Sequence, residues 1–109
     1  MDKIKTVIIE SPYAGDKELN VKYGKRCMLD SLKRGEAPFL SHLLYTQCLN
    51  DDIREERHMG MNAGFAWVDK SDYTVVYTDY GISKGMEEGI ARAKNLGHNV
   101  EYRSIGNNT

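Results

Sequence analysis

Over residues 73–90 the chain passes from an apolar run, Tyr73-Thr74-Val75-Val76-Tyr77, through a glycine-spaced turn at Asp79-Tyr80-Gly81-Ile82-Ser83, into a helical pattern with Glu87 and Glu88 in its first turn. A strand that turns directly into a helix is one unit of a parallel sheet, because parallel strands need a crossover to join them. In open sheets of this kind the strand-to-helix junctions collect at the carboxyl edge, where ligands bind. This stretch therefore constrains the fold class and marks the edge on which to look for a site.

The same succession occurs upstream. Ile4, Thr6, Val7, Ile8 and Ile9, within Lys3 to Glu10, form a β-branched run that predicts a strand buried on both faces. The loop Ser11-Pro12-Tyr13-Ala14-Gly15-Asp16 ends it, and Asp16 is placed to cap a helix over Lys17 to Arg34 whose Val21, Gly24, Met28 and Leu32 share one stripe. Gly35 closes that helix, and Ala37-Pro38-Phe39-Leu40 predicts a second strand with proline near its start. Ser41 to Gln47 leave this strand at the same edge as the Pro12 loop. Asp52 followed by Glu55 reads as a capping box for a helix to about Asp69, with Met61, Phe65 and Trp67 serving the core or a subunit interface. A third strand, Tyr73 to Thr78, leads to a helix over Lys84 to Leu96 that Gly97 stops, and Asn99 to Arg103 supplies a fourth strand.

Right-handed crossovers turn this βαβαβαβ order into one α/β domain over residues 1–103, followed by a polar, frayed tail over 104–109. The expected architecture is a four-stranded parallel sheet of order 2-1-3-4 with helices on both faces and a switch point between the first and third strands. Loops Ser11 to Gly15 and Asp79 to Gly85 then face each other across the crevice, flanked by His42 and Tyr45. A chain of 109 residues, 40% hydrophobic and 28% charged, suits a single folded core. A net charge of -1 with no cluster of Lys and Arg argues against nucleic acid as a partner. No apolar run approaches the ~18 residues of a membrane span, and Met1 to Lys5 lead into no signal-peptide pattern. Cys27 and Cys48 fit neither a zinc nor a CxxC spacing and sit in apolar surroundings, so the expectation is buried free thiols in a reducing cytoplasm, ahead of a disulfide, with no metal and no cofactor.

The candidates at the sheet edge each have a second explanation. Asp79 is placed to bind a sugar hydroxyl or to form a turn with Gly81. Ser83 suits a helix N-cap whether or not it also meets a ligand, with Gly85 and Met86 behind it in the first turn. Glu87 is either an acid favoured there by the helix dipole or a ligand-facing carboxylate, whereas Glu88 pairs with Arg92 on an exposed face. Ser11, Pro12, Tyr13 and Gly15 form a loop whose backbone N–H groups suit a phosphate or ribose, with Tyr13 stacking on a base. His42 is the histidine placed at the crevice, while His58 and His98 read as surface residues. Arg57 is suited to neutralise a phosphate, or to pair with Asp51 or Glu56.

The segments Ile9-Glu10-Ser11-Pro12-Tyr13-Ala14-Gly15-Asp16, Ala37-Pro38-Phe39 with His42-Leu43-Leu44-Tyr45-Thr46-Gln47, Asp51-Asp52 with Glu55-Glu56-Arg57, and Ile82-Ser83-Lys84-Gly85-Met86 carry a resemblance. In this order they resemble, across nearly the whole chain, a family of small phage and bacterial proteins described as nucleoside 2-deoxyribosyltransferase-like. The resemblance implies base exchange on 2-deoxyribosides through a covalent sugar intermediate on a glutamate early in the helix after the third strand, with another group protonating the departing base. In the register it implies, that glutamate falls at Gly89. A second register, E-x-G in Glu87-Glu88-Gly89, makes Glu87 the nucleophile and leaves Asp79 to position the sugar. The registers exclude each other, since residues two apart on a helix point about 200° apart. Glycine in the first register favours a protein that binds a nucleotide or nucleotide-derived molecule, one such use being a phage anti-defence sponge for a host signalling nucleotide. The alternative is an N-glycosidic-bond enzyme, a deoxyribosyltransferase or nucleoside hydrolase, using Glu87. The resemblance also implies a homo-oligomer in which a neighbouring chain completes each site, in the cytoplasm of a bacterial host if the chain is phage-encoded.

Overall fold

The β-branched and aromatic runs form the sheet and the helical patterns cover it. The computed structural model describes residues 3–106. In chain order its elements are β1 (Thr6–Glu10), α1 (Lys17–Lys33), β2 (Ala37–Phe39), α2 (Ser41–Leu44) with a single 3₁₀ turn (Tyr45–Gln47), α3 (Arg54–Val68), β3 (Tyr73–Tyr77), α4 (Lys84–Asn95) and β4 (Val100–Arg103). The strands are parallel in the order β2-β1-β3-β4. Ile8 lies beside Phe39, and Glu10 beside Val76.

Strand alternation divides the core. Val7 and Ile9 of β1 and Val75 and Tyr77 of β3 face α1, where Tyr23 and Cys27, with Leu40 from the end of β2, complete a cluster. Ile8 points the other way, to Val68 of α3 and Ala93 of α4, and Val76 packs on Met86 and Ile90 of α4. Both faces of the central strands are thus covered, as their unbroken apolar runs require.

Four local expectations need correction. Cys27 is a buried free thiol, but Cys48 is exposed where the 3₁₀ turn ends. The buried stripe of α1 is Asn20, Tyr23, Gly24, Cys27 and Ser31, and Leu32 is 55% exposed. Polar residues can line that face because each finds a partner: Asn20 Nδ2 donates to the carbonyls of Tyr13 and Ala14 at 3.1 and 3.0 Å, and Ser31 Oγ donates to Glu36 at 2.7 Å. The N-cap of α3 is Ile53, and Asp52 makes no capping bond. Glu56 instead accepts from the Asn50 N–H at 2.8 Å, and Asn50 Oδ1 accepts from the Asp52 N–H at 2.9 Å. Ser104 to Gly106 are not frayed, as Asp79 holds them by hydrogen bonds described below; residues 107–109 of the expected tail, like Met1 and Asp2, lie outside the described residues.

Candidate functional site

A cavity of about 580 Å³ opens where β1, α3 and α4 meet at the carboxyl edge of the sheet. Its size suits a small organic ligand, for which pockets run to roughly 300–1,000 Å³. Ile8, Ile9 and Glu10 form the strand side, and Ser11, Tyr13, Ala14 and Gly15 continue it into the first loop. Phe39, Met61, Phe65 and Val68 supply an apolar wall from β2 and α3. Opposite lies the start of α4, with Ser83, Lys84, Gly85, Met86 and Gly89.

Glu10 is the carboxylate that strand parity delivers here. It follows Ile8 onto the α3 and α4 face, and its side chain lies flat on Gly89: a Cβ built on that glycine would stand 2.1 Å from Oε2 and 2.5 Å from Cδ of Glu10. No hydrogen bond or ion pair reaches the Glu10 carboxylate among the described residues. Burial, with no compensating partner, pushes its pKa up from 4.5 to about 8, so near neutral pH it is largely a carboxylic acid. Sequence reasoning passed over Glu10 as the end of a strand. Two signals pointed to it: a charged residue closing a strand buried on both faces, and a glycine inside a helix, where glycine costs about 0.5–1 kcal/mol relative to alanine.

His42 closes the cavity from α2. Its Nε2 lies 3.0 Å from the Ser11 carbonyl and 3.1 Å from Ser11 Oγ, and Tyr13 stacks on its ring with centroids 5.2 Å apart. Because a carbonyl only accepts, Nε2 carries the proton and the enclosed Nδ1 is left as an acceptor with no partner among the described residues. Burial lowers the His42 pKa and keeps the ring neutral, against the opposing pull of its backbone contacts.

The charged groups sit toward the ends of the helices. Lys17 Nζ pairs with Asp52 at 3.3 Å and stands 5.4 Å from the centroid of Tyr13. Arg57 and Lys84 also line the cavity and have no ion-pair partner among the described residues. Lys84 opens α4, whose N-cap Ser83 accepts from the Met86 N–H at 3.2 Å. A helix N-terminus with cations beside it favours an anion.

Of the residues expected from sequence, Ser11, Tyr13, Gly15, His42, Ser83, Gly85 and Met86 line this cavity. Pro12 is buried behind the loop, and Gly81, with φ of +81°, shapes the turn without lining the cavity. Tyr45 faces a smaller neighbouring space of about 80 Å³, and its hydroxyl accepts from Trp67 Nε1 at 2.9 Å. Met61 and Phe65 face the cavity, and Trp67 is 47% exposed.

Two expected acids are elsewhere. Glu87 is exposed and outside the cavity, since helix geometry turns it roughly 200° from Gly89. Asp79 continues the alternation of Tyr77 onto the α1 face. There it accepts from the hydroxyls of Tyr23 and Ser104, each at 2.6 Å, and from the N–H groups of Ile105 and Gly106 at 3.1 and 2.9 Å. Burial alone would raise its pKa, but these donors outweigh it and hold Asp79 down at about 2. His98 clips two loops together, with Nδ1 2.9 Å from Thr74 Oγ1 and Nε2 2.8 Å from the Ser71 carbonyl.

A family model described as a domain of unknown function (DUF7768) matches residues 5–103. Among solved structures, the chain is similar to a 2-deoxyribosyltransferase from the psychrotolerant bacterium Bacillus psychrosaccharolyticus, described as a biocatalyst for the synthesis of antiviral and antitumoral nucleosides. The TM-score is 0.66 at 16% identity, over 95% of this chain and 75% of that one. At that identity the likeness is one of fold, and it extends to the parallel four-stranded sheet with its covering helices. No curated protein matches the chain. No helix among the described residues is long and apolar enough to cross a membrane.

Proposed function

The chain belongs to the DUF7768 family, and from that premise we propose that its cavity binds a nucleotide or a nucleotide-derived small molecule. One observation carries the reading: a single cavity joins an apolar wall of Phe39, Met61, Phe65 and Val68 to a rim where Arg57, Lys84 and the α4 N-terminus attract an anion, the nearby Lys17 being paired with Asp52. A base fits the first chemistry and a phosphate the second. The neutral His42 and the loop from Ser11 to Gly15 offer polar contacts between them.

Thermal shift and calorimetry with nucleosides, nucleoside monophosphates and inorganic phosphate test this. A nucleotide at ~100 times its Kd should stabilise the fold by about 2.7 kcal/mol, and the matching nucleoside should bind more weakly. Arg57→Ala and Lys84→Ala should each weaken nucleotide binding by about 10-fold or more, as loss of a charged hydrogen bond does. If no nucleotide shifts the melting temperature, the reading is wrong.

Turnover is the second reading, and the specific observation in its favour is the carboxylic acid of Glu10 inside the cavity. A homo-oligomer is part of the proposal as well. Ile53, Met59 and Trp67 stand exposed on and beside α3. Sedimentation showing only a 12.4 kDa species would remove that part.

A further inference from the structure

We propose that Glu10 is a catalytic general acid, which protonates the departing base when the N-glycosidic bond of a nucleotide held in this cavity is cleaved by water. The inference rests on the nucleotide-binding reading above.

Geometry alone points to Glu10. Its carboxyl lines the cavity, lies against the bare Cα of Gly89, and has no partner among the described residues. A carboxyl with a structural duty in this protein looks different: Glu36 receives hydrogen bonds from Ser31 and Arg103, and Asp79 from Tyr23 and the 104–106 segment. Gly89 is the complement of this arrangement, since any side chain there would displace the carboxyl. The half-buried carboxyl opens onto the cavity and not into a sealed core, so the group it meets there is one that the ligand brings.

The protonation state suits a donor. The charged groups sharing the cavity are Lys17 on α1, Asp51 and Asp52 in the loop before α3, Arg57 on α3 and Lys84 on α4, with His42 on α2 neutral. None forms an ion pair with Glu10 among the described residues, and burial sets its pKa at about 8. An acid of that strength is mostly protonated at neutral pH and still able to release its proton, which is the condition for general acid work.

In the step itself, the bond between the anomeric carbon and the base nitrogen breaks and its electron pair goes to the base. The Glu10 proton passes to the base, leaving Glu10 as a carboxylate and a positive charge on the sugar. Water adds to the anomeric carbon, and the proton it sheds returns to Glu10. The products are free base and sugar phosphate, and the acid is restored.

The experiment reads binding and chemistry separately, using calorimetry for Kd and chromatography for released base, on the full chain with ribo- and deoxyribonucleoside monophosphates. The wild type should release base from at least one nucleotide it binds. Glu10→Gln, which keeps shape and hydrogen-bonding capacity, should bind that nucleotide within about threefold of wild type while base release falls by about 100-fold or more. Wild-type kcat/KM should decline as pH rises through 8, and Glu87→Gln should leave base release unchanged. The acid role is overturned if wild type binds nucleotides but releases no base, if Glu10→Gln retains activity, or if the rate climbs with pH across that range. If no nucleotide binds and none is cleaved, both the inference and the binding reading fall.

Discussion

At Gly89 the helix gives up a side chain so that a carboxyl from another strand can occupy the space. The two residues are far apart in sequence but 2.1 Å apart once a Cβ is imagined on the glycine. Where the resemblance implied a glutamate on α4, the carboxyl in that volume comes from β1 instead. Gly89→Ala should therefore destabilise the wild type despite alanine's better helix propensity. In a Glu10→Ala background the same substitution meets no carboxyl and should stabilise by up to about 1 kcal/mol. Denaturant unfolding of the four proteins in this cycle should give a coupling of about 0.5–3 kcal/mol, the range for residues in direct contact; additive effects would mean that the two do not compete for space. Individual residues of the loop and the α4 cap could be read from the sequence because their roles are local. Glu10 and Gly89 each leave a signal in the sequence, but nothing local joins the two, because the partner of Glu10 is a position with no side chain, reached only through the pairing of β1 with β3.

The elements were legible to the extent that local chemistry decides them. Asp16 and Ser83 cap their helices through their own side chains, Gly35 and Gly97 take positive φ after helix ends, and the strand order follows from right-handed crossovers together with two runs, β1 and β3, apolar enough to need cover on both faces. Where tertiary contacts decide, local pattern is a poor guide. The buried face of α1 escapes hydrophobicity because Asn20, Tyr23 and Ser31 are buried as bonded polar groups. The start of α3 departs from its capping-box pattern because Asn50 and Glu56 tie the loop across six residues. Asp79 shows the same thing at a strand end, where parity turns it from the ligand edge to the clamp on Ser104 to Gly106. Asp79→Ala should leave nucleotide Kd within about twofold, while amide exchange at Ile105 and Gly106 accelerates to the rate of an open terminus. A large loss of binding with those amides still protected would return Asp79 to the site.

Across the whole molecule, three acids oppose one another in their dependence on pH. Glu36, before β2, accepts a two-pronged contact from Arg103 at the end of β4, at 2.8 and 2.6 Å, with both side chains more than nine-tenths buried. The Arg103 guanidinium holds the Glu36 pKa at about 2, against burial, helped by Tyr73 and Ser31. Asp79 is depressed to about 2 as well. For these two the unfolded chain binds protons that the folded chain does not, so their contribution is complete above the ordinary values of 4.5 and 3.8 and is lost as pH falls toward 2. Glu10 has the opposite sign: raised from 4.5 to about 8, it contributes fully below 4.5 and that contribution is lost as pH rises through 8. The rising and falling limbs meet near pH 4.5. Melting temperature in the absence of ligand should therefore peak on the mildly acidic side and decline toward pH 8. A change of 1 kcal/mol corresponds to about 4–8 °C in a domain of this size. Glu10→Gln removes the falling limb, so its melting temperature should form a plateau from about pH 5 to 8, above wild type at the alkaline end. Arg103→Ala acts on the other limb, and by leaving Glu36 buried without its cation it should cost about 3–5 kcal/mol. A wild-type profile flat from pH 5 to 8 would show that Glu10 is ionised in the folded protein, and with it the acid in the cavity would lose its proton.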